Sequence, residues 1–170
     1  MNIRLLLESK HTKSSIQSIV VYVDKNPNKF SELMESFFDD NIRICQRASC
    51  PIVKIVDKFP HLIVPYLPDM IKNIENPKHN ATVRNTLRFW QNLVIPEEFQ
   101  GEIYEKCFNY LIDPKVAIAL RVFSMSVCAN IASNIPDLKA ELTIAISDQL
   151  EMASSGIRSC SLKILKALKR

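Results

Sequence analysis

The chain has only two glycines, Gly101 and Gly156, in 170 residues. Average usage near 7% would give roughly twelve. Glycine supplies left-handed turns and lets backbone approach phosphates closely, so its scarcity removes whole architectures. GxGxxG, GxSxG and GxxxxGK followed by Ser or Thr are all absent. Dinucleotide-binding, phosphate-loop and nucleophile-elbow chemistry therefore have no loop to sit on. Asn-Gly and Asp-Gly hairpin signals are also missing, which weakens any all-β fold. The length suits one compact domain.

Apolar residues recur at helical spacing along almost the whole chain, and Pro27, Pro60, Pro77, Pro96, Pro114 and Pro136 fall between the periodic stretches. Each proline lacks a donor and biases its predecessor away from helix. Ten helices are predicted, roughly 2–9, 13–25, 30–38, 40–58, 62–75, 80–94, 97–112, 114–133, 136–150 and 154–169. Ser31, Asp40, Asn80, Asp113 and Ser154 are candidate N-caps, because each side-chain oxygen can accept an unpaired amide at a helix start. Pro51, well inside a helical pattern, predicts a kink. Pro65 and Pro68 predict a bent or shifted helix start. The β-branched run Ser18–Val23 has no second strand to pair with, so a buried helix is expected there.

Connections of two to six residues make successive helices antiparallel neighbours. The second helix of each pair opens with a shared pattern: Asp39-Asp-Asn-Ile-Arg43, Asn80-Ala-Thr-Val-Arg84, Asp113-Pro-Lys-Val-Ala117 and Ser154-Ser-Gly-Ile-Arg158. Their last positions lie 41, 33 and 41 residues apart. Three residues after Ile42, Val83, Val116 and Ile157 stand the small residues Cys45, Thr86, Ala119 and Cys160. Eleven residues after stand Val53, Val94, Val127 and Leu168, which are expected to continue the core stripe. Amphipathic first helices precede them at Phe30–Phe38, Leu62–Ile74, Phe99–Ile112 and Leu138–Leu150. One hairpin cannot bury its apolar face alone, so such a repeat must stack.

The pattern resembles HEAT and armadillo-like repeats. The resemblance rests on a proline-bearing first helix (Val64-Pro65-Tyr66-Leu67), a polar turn, and a second helix opening with Val or Ile and then Arg. Ala117 replaces that arginine in the third unit. The resemblance implies an all-α fold: a right-handed α-solenoid of about four to five antiparallel helix pairs. Residues 1–170 would form a single domain, with 1–29 a diverged N-terminal capping pair and 30–170 four repeats. It also implies that second helices line a concave face.

The net charge of +4 is mild for a dedicated nucleic-acid binder and favours acidic partners. Cys45, Cys50, Cys107, Cys128 and Cys160 form no CxxC, and His11, His61 and His79 form no HxxxH. No metal or cofactor is expected, and scattered thiols fit a reduced, cytoplasmic setting. The first ten residues lack the long apolar stretch of a secretory signal. The run Ile19–Val23 is far short of the roughly 20 residues that span a bilayer.

Arginine recurs one turn apart: Arg43 and Arg47, Arg84 and Arg88, then Arg121 and Arg158 singly. A row of guanidinium forks can grip carboxylates or phosphates on a partner. The plainer reading is that Arg43, Arg84 and Arg158 are structural and bond turn carboxylates such as Asp39, Asp40 and Asp113. Arg47, Arg88 and Arg121 are then the freer candidates for partner contact. Trp90 shares a column with Phe123 and Ile164 and is expected in the core. The carboxylate pairs Asp39-Asp40, Glu97-Glu98 and Glu102-Glu105 read as helix-start and solvated charges. The basic tail Lys163–Arg170 reads as dipole-complementing.

These features point to a non-enzymatic module binding an acidic protein or peptide on its concave face. Nucleic-acid binding is the alternative, in the manner of HEAT-like DNA glycosylases. A single tryptophan with no tryptophan–aspartate constellation argues against the glycosylase version.

Overall fold

A computed structural model describes residues 1–9 and 11–169. Lys10, and Arg170 of the basic tail, lie outside the described residues. Among the described residues there are ten α-helices, three short 3-10 turns and no strand. The chain divides into two compact units, Met1–Phe89 and Trp90–Arg170.

The first unit holds α1 (Ile3–Glu8), α2 (Lys13–Lys25), α3 (Phe30–Phe37), α4 (Ile42–Lys58), α5 (Leu67–Glu75) and most of α6 (Asn80–Trp90). In the β-branched run, Ile19 and Val23 are buried and Val21 is exposed, so α2 buries one face only. Thr12 and Ser15 close a reciprocal capping box at its start. α4 packs against α2, α3 and α1. It runs through the buried Pro51 from Ile42 to Lys58. Residues 60–62 and 64–66 form 3-10 turns, and α5 starts at Leu67. Pro65 and Pro68 thus move the helix start five residues past the expected Leu62.

The second unit holds α7 (Glu97–Ile112), α8 (Ile118–Ala132), α9 (Pro136–Asp148) and α10 (Ser155–Leu168). α8 packs against α7, α9 and α10, and α9 packs against α10. Its core includes Ile103, Cys107, Leu111, Met125, Val127, Cys128, Leu142 and Ile146.

Buried polar contacts tie neighbouring second helices together. Between α4 and α6, Cys45 Sγ lies 3.5 Å from Thr82 Oγ1, and Asn85 Nδ2 donates to Ser49 Oγ across 2.7 Å. Between α8 and α10, Ser161 Oγ meets Met125 Sδ at 3.7 Å. These pairs are 36 or 37 residues apart in sequence, so the repeat length reappears as a contact spacing within each unit.

Several expected register positions differ. α6 ends at Trp90, so Val94 falls in the following loop and is 90% exposed rather than core. Ile42, as the first residue of α4, is 49% exposed. Val116 precedes α8, because Asp113 Oδ1 accepts the Lys115 amide at 2.8 Å and holds residues 113–116 as a turn. The caps shift as well. Asn41, not Asp40, caps α4 by accepting from Arg43 N at 3.0 Å. Lys29, not Ser31, occupies the cap position of α3. Asn80 is the first residue of α6, and Ser154 sits at the cap of α10 without a side-chain bond. Among the described residues neither glycine nor any other residue has positive φ, so their turns are made without the left-handed region. Trp90 is fully buried, as its column predicts.

Candidate functional site

Asp39 and Asp40 are held by cations other than Arg43. Arg4 of α1 pairs with Asp39. Lys78 Nζ lies 2.6 Å from Asp40 Oδ1 and donates to Phe38 O at 3.3 Å. His79 Nε2 lies 3.1 Å from Asp39 O. The Asn41 amide donates to Asp39 Oδ1 at 2.8 Å. That backbone bond, with Arg4 beside it, holds the Asp39 carboxyl below the usual carboxylate range. A carboxyl kept ionised in this way is the opposite of a general acid tuned towards neutral pH.

The arginines fall into a different division from the expected one. Arg47 Nη1 donates to three carbonyls at the end of α1: Leu7 O at 2.7 Å, Glu8 O at 3.2 Å and Ser9 O at 2.6 Å. α1 has no basic residue in its own last turn, so Arg47 supplies both the donor and the cation that a helix C-terminus favours. Arg121 does the same for α7, donating Nε to Leu111 O at 3.1 Å and bonding Gln149 through Nη2. Arg158 Nη1 reaches Leu150 O, just beyond α9, at 3.3 Å. Arg47 and Arg121 are therefore structural, which corrects their expected freedom. Arg43 is exposed, with no side-chain bond among the described residues, which corrects its expected anchoring. Arg88 is likewise exposed and without a side-chain partner among those residues. On α6 the exposed positions Asn80, Arg84 and Arg88 recur every fourth residue and form one line. The opposite side of α6 places Thr82 and Asn85 on α4.

Nothing in the thiols suggests nucleophilic chemistry. All five cysteines are free, and Cys45, Cys107 and Cys128 are buried. Burial pushes the Cys45 and Cys128 thiols up, away from the reactive thiolate. Among the described residues no cluster of His, Cys, Asp and Glu could hold a metal ion. Glu97 and Glu98 lie in the first turn of α7, and Glu102 pairs with Lys106 at 3.7 Å.

Two features escaped the sequence. In the second unit, the loops around Val94 and Ile135 line a cleft with the carboxamides of Asn92, Gln100, Asn130 and Asn134. Also in that unit, the outer faces of α9 and α10 carry opposite charge. Both features depend on which helix faces stay uncovered, and helical periodicity alone does not say that.

Helices that pair with their neighbours and, within each unit, meet the next second helix 36 or 37 residues further on define a tandem helical-repeat protein. A HEAT repeat domain model matches residues 3–168, and the chain belongs to that family. No curated protein and no solved structure matches it. HEAT repeats generally serve as protein-interaction modules. Among the described residues no helix is long and apolar enough to cross a membrane.

Proposed function

We propose that the chain is a non-enzymatic interaction module that takes an acidic protein or peptide segment on the exposed face of its second helices. The observation that carries this reading is the exposed guanidinium of Arg88 on α6 together with that of Arg43 on α4, both without a side-chain partner among the described residues. A planar fork left in water matches a carboxylate bidentately, and holding one there has no evident packing role. In the same unit, Arg47 is not part of this face, because its guanidinium is spent on the end of α1. Five free cysteines support a reducing, cytoplasmic setting for the encounter.

Selection from a random displayed-peptide library tests the proposal. Peptides retained by the wild-type chain should be rich in Asp and Glu. The double variant Arg43→Glu/Arg88→Glu, with unchanged circular dichroism, should lose them. Retained peptides without acidic bias, or retention by the double variant, would overturn it.

A further inference from the structure

We propose that the acidic face of α9 docks onto the basic face of α10 of a second copy of this chain. α9 buries only Leu142 and Ile146 of its thirteen residues. Asp137, Glu141, Ile144 and Asp148 recur at steps of three or four along its exposed side, and this spacing keeps them in one line; Glu151 follows, exposed, in the turn after the helix. Ile144 at the centre is 62% exposed. On α10, Arg158, Leu162, Lys166 and Lys169 form a matching line with Lys163 beside it, and Leu162 is 53% exposed. α10 contains no carboxylate at all. The one cation of α9, Lys139, is half-buried and off the acidic line.

Each face is thus an exposed aliphatic side chain flanked by charges of one sign, four carboxylates on one and four cations on the other. None of these eight charges has an ion-pair partner among the described residues. Glu141 accepts from the Tyr104 hydroxyl at 3.1 Å, and Arg158 donates to Leu150 O. Opposed charges around a shared apolar centre steer two surfaces together and reject like faces. That complementarity names the occupant: the surface that fits α10 is present on the same chain. An α9–α9 or α10–α10 contact would bring like charges together, so the pairing is heterologous. It leaves one free face at each end unless the assembly closes into a ring. A single helix face, roughly 20 Å long, lies at the small end of specific interfaces, so association is reversible and sensitive to salt. The proposal uses the second unit only and is independent of the Arg43 and Arg88 face.

Sedimentation equilibrium of the whole chain tests this. The weight-average mass should rise above 19.5 kDa between about 10 µM and 1 mM at low salt, a range matching a small interface. It should fall back at about 0.5 M salt. Two reversed chains are then compared, Asp137→Lys/Asp148→Lys/Glu151→Lys and Lys163→Glu/Lys166→Glu/Lys169→Glu. Each alone should stay at monomer mass, and an equimolar mixture should regain association. Should either reversal reduce helicity, the single variants Ile144→Ser and Leu162→Ser replace it, and each should weaken self-association at least about tenfold, a typical cost for a central anchor. A wild-type chain that stays monomeric, reversed chains that associate as well as wild type, serine variants that associate unchanged, or a mixture that stays monomeric would each overturn the proposal. If the basic face instead recruits anionic vesicles of phosphatidylserine and phosphatidylcholine while the protein remains monomeric, its occupant is a lipid surface and the proposal fails.

Discussion

The Asn85 carboxamide donates to the Ser49 hydroxyl across 2.7 Å, with both side chains buried between α4 and α6. Ser49 in turn donates to Cys45 O at 3.0 Å, one turn back along α4. A buried amide joined to a hydroxyl fixes the register of two helices more sharply than apolar contacts do, because a slip strands the amide. Replacing one partner leaves the other short of a bond, at about 1–3 kcal/mol. Asn85→Ala should therefore lose about that much stability in urea unfolding. The Ser49→Ala/Asn85→Ala double variant should lose less than the two singles summed, by at least about 0.5 kcal/mol. Additive losses would show that the bond does not couple the helices.

Trp90 is fully buried, and its indole N–H has no partner among the described residues. Trp90→Ala should cost about 3–5 kcal/mol, enough to unfold a marginal chain. Trp90→Phe should cost much less, since it keeps most of the apolar volume and removes the unpaired donor. Thermal melts of the two variants decide this. A stable Trp90→Ala chain would mean that the side chain does not hold the core.

The arginines separate by what they touch. Arg47→Gln and Arg121→Gln should each lose about 1–3 kcal/mol, because helix-end carbonyls are left unpaired. Arg43→Gln and Arg88→Gln, on exposed side chains, should stay within about 0.5 kcal/mol of wild type. Chemical denaturation of the four variants measures the split. Equal losses at all four positions would contradict the division.

Much of this was readable in the residues and some was not. Helical periodicity and prolines locate each of the helices among the described residues, since core burial imposes the period and proline ends it. The column containing Trp90 marks core at Trp90 and Ile164, whereas its third member, Phe123, is half-buried. The arginine roles were inverted at Arg43, Arg47 and Arg121, because a guanidinium on a long stem bonds whatever chain end lies beside it. Arg47 finds α1 some forty residues away in sequence, and no local pattern announces that. Asp39 and Asp40 look like partners for Arg43, yet Arg4 reaches Asp39 from α1 and Lys78 reaches Asp40 from the loop between α5 and α6. Val94 would face the core only if α6 ran to residue 94; the helix stops at Trp90.

Acid should expose the role of Asp39. The Asn41 amide and then Arg4 lower its pKa in the folded chain, so folding favours its ionised form. The stability it contributes is present above its unfolded value, near 3.9, and is lost as pH falls through the lower folded value. The stability gap between wild type and Asp39→Asn should be constant from neutral pH down to about 5 and should close below about 4. Melts across that range check it. A gap that widens in acid would reverse the sign of the interaction.

The most direct test of the interaction role is a fluorescence-anisotropy titration with a labelled peptide alternating glutamate and leucine, followed by competition with a short duplex DNA. Saturable peptide binding is expected, weakened at least about tenfold by Arg88→Glu, as loss of a charge-assisted contact requires. The duplex should not displace the peptide. Binding of the duplex instead, with affinity falling steeply between about 0.05 and 0.2 M salt and the acidic peptide ignored, would contradict the account.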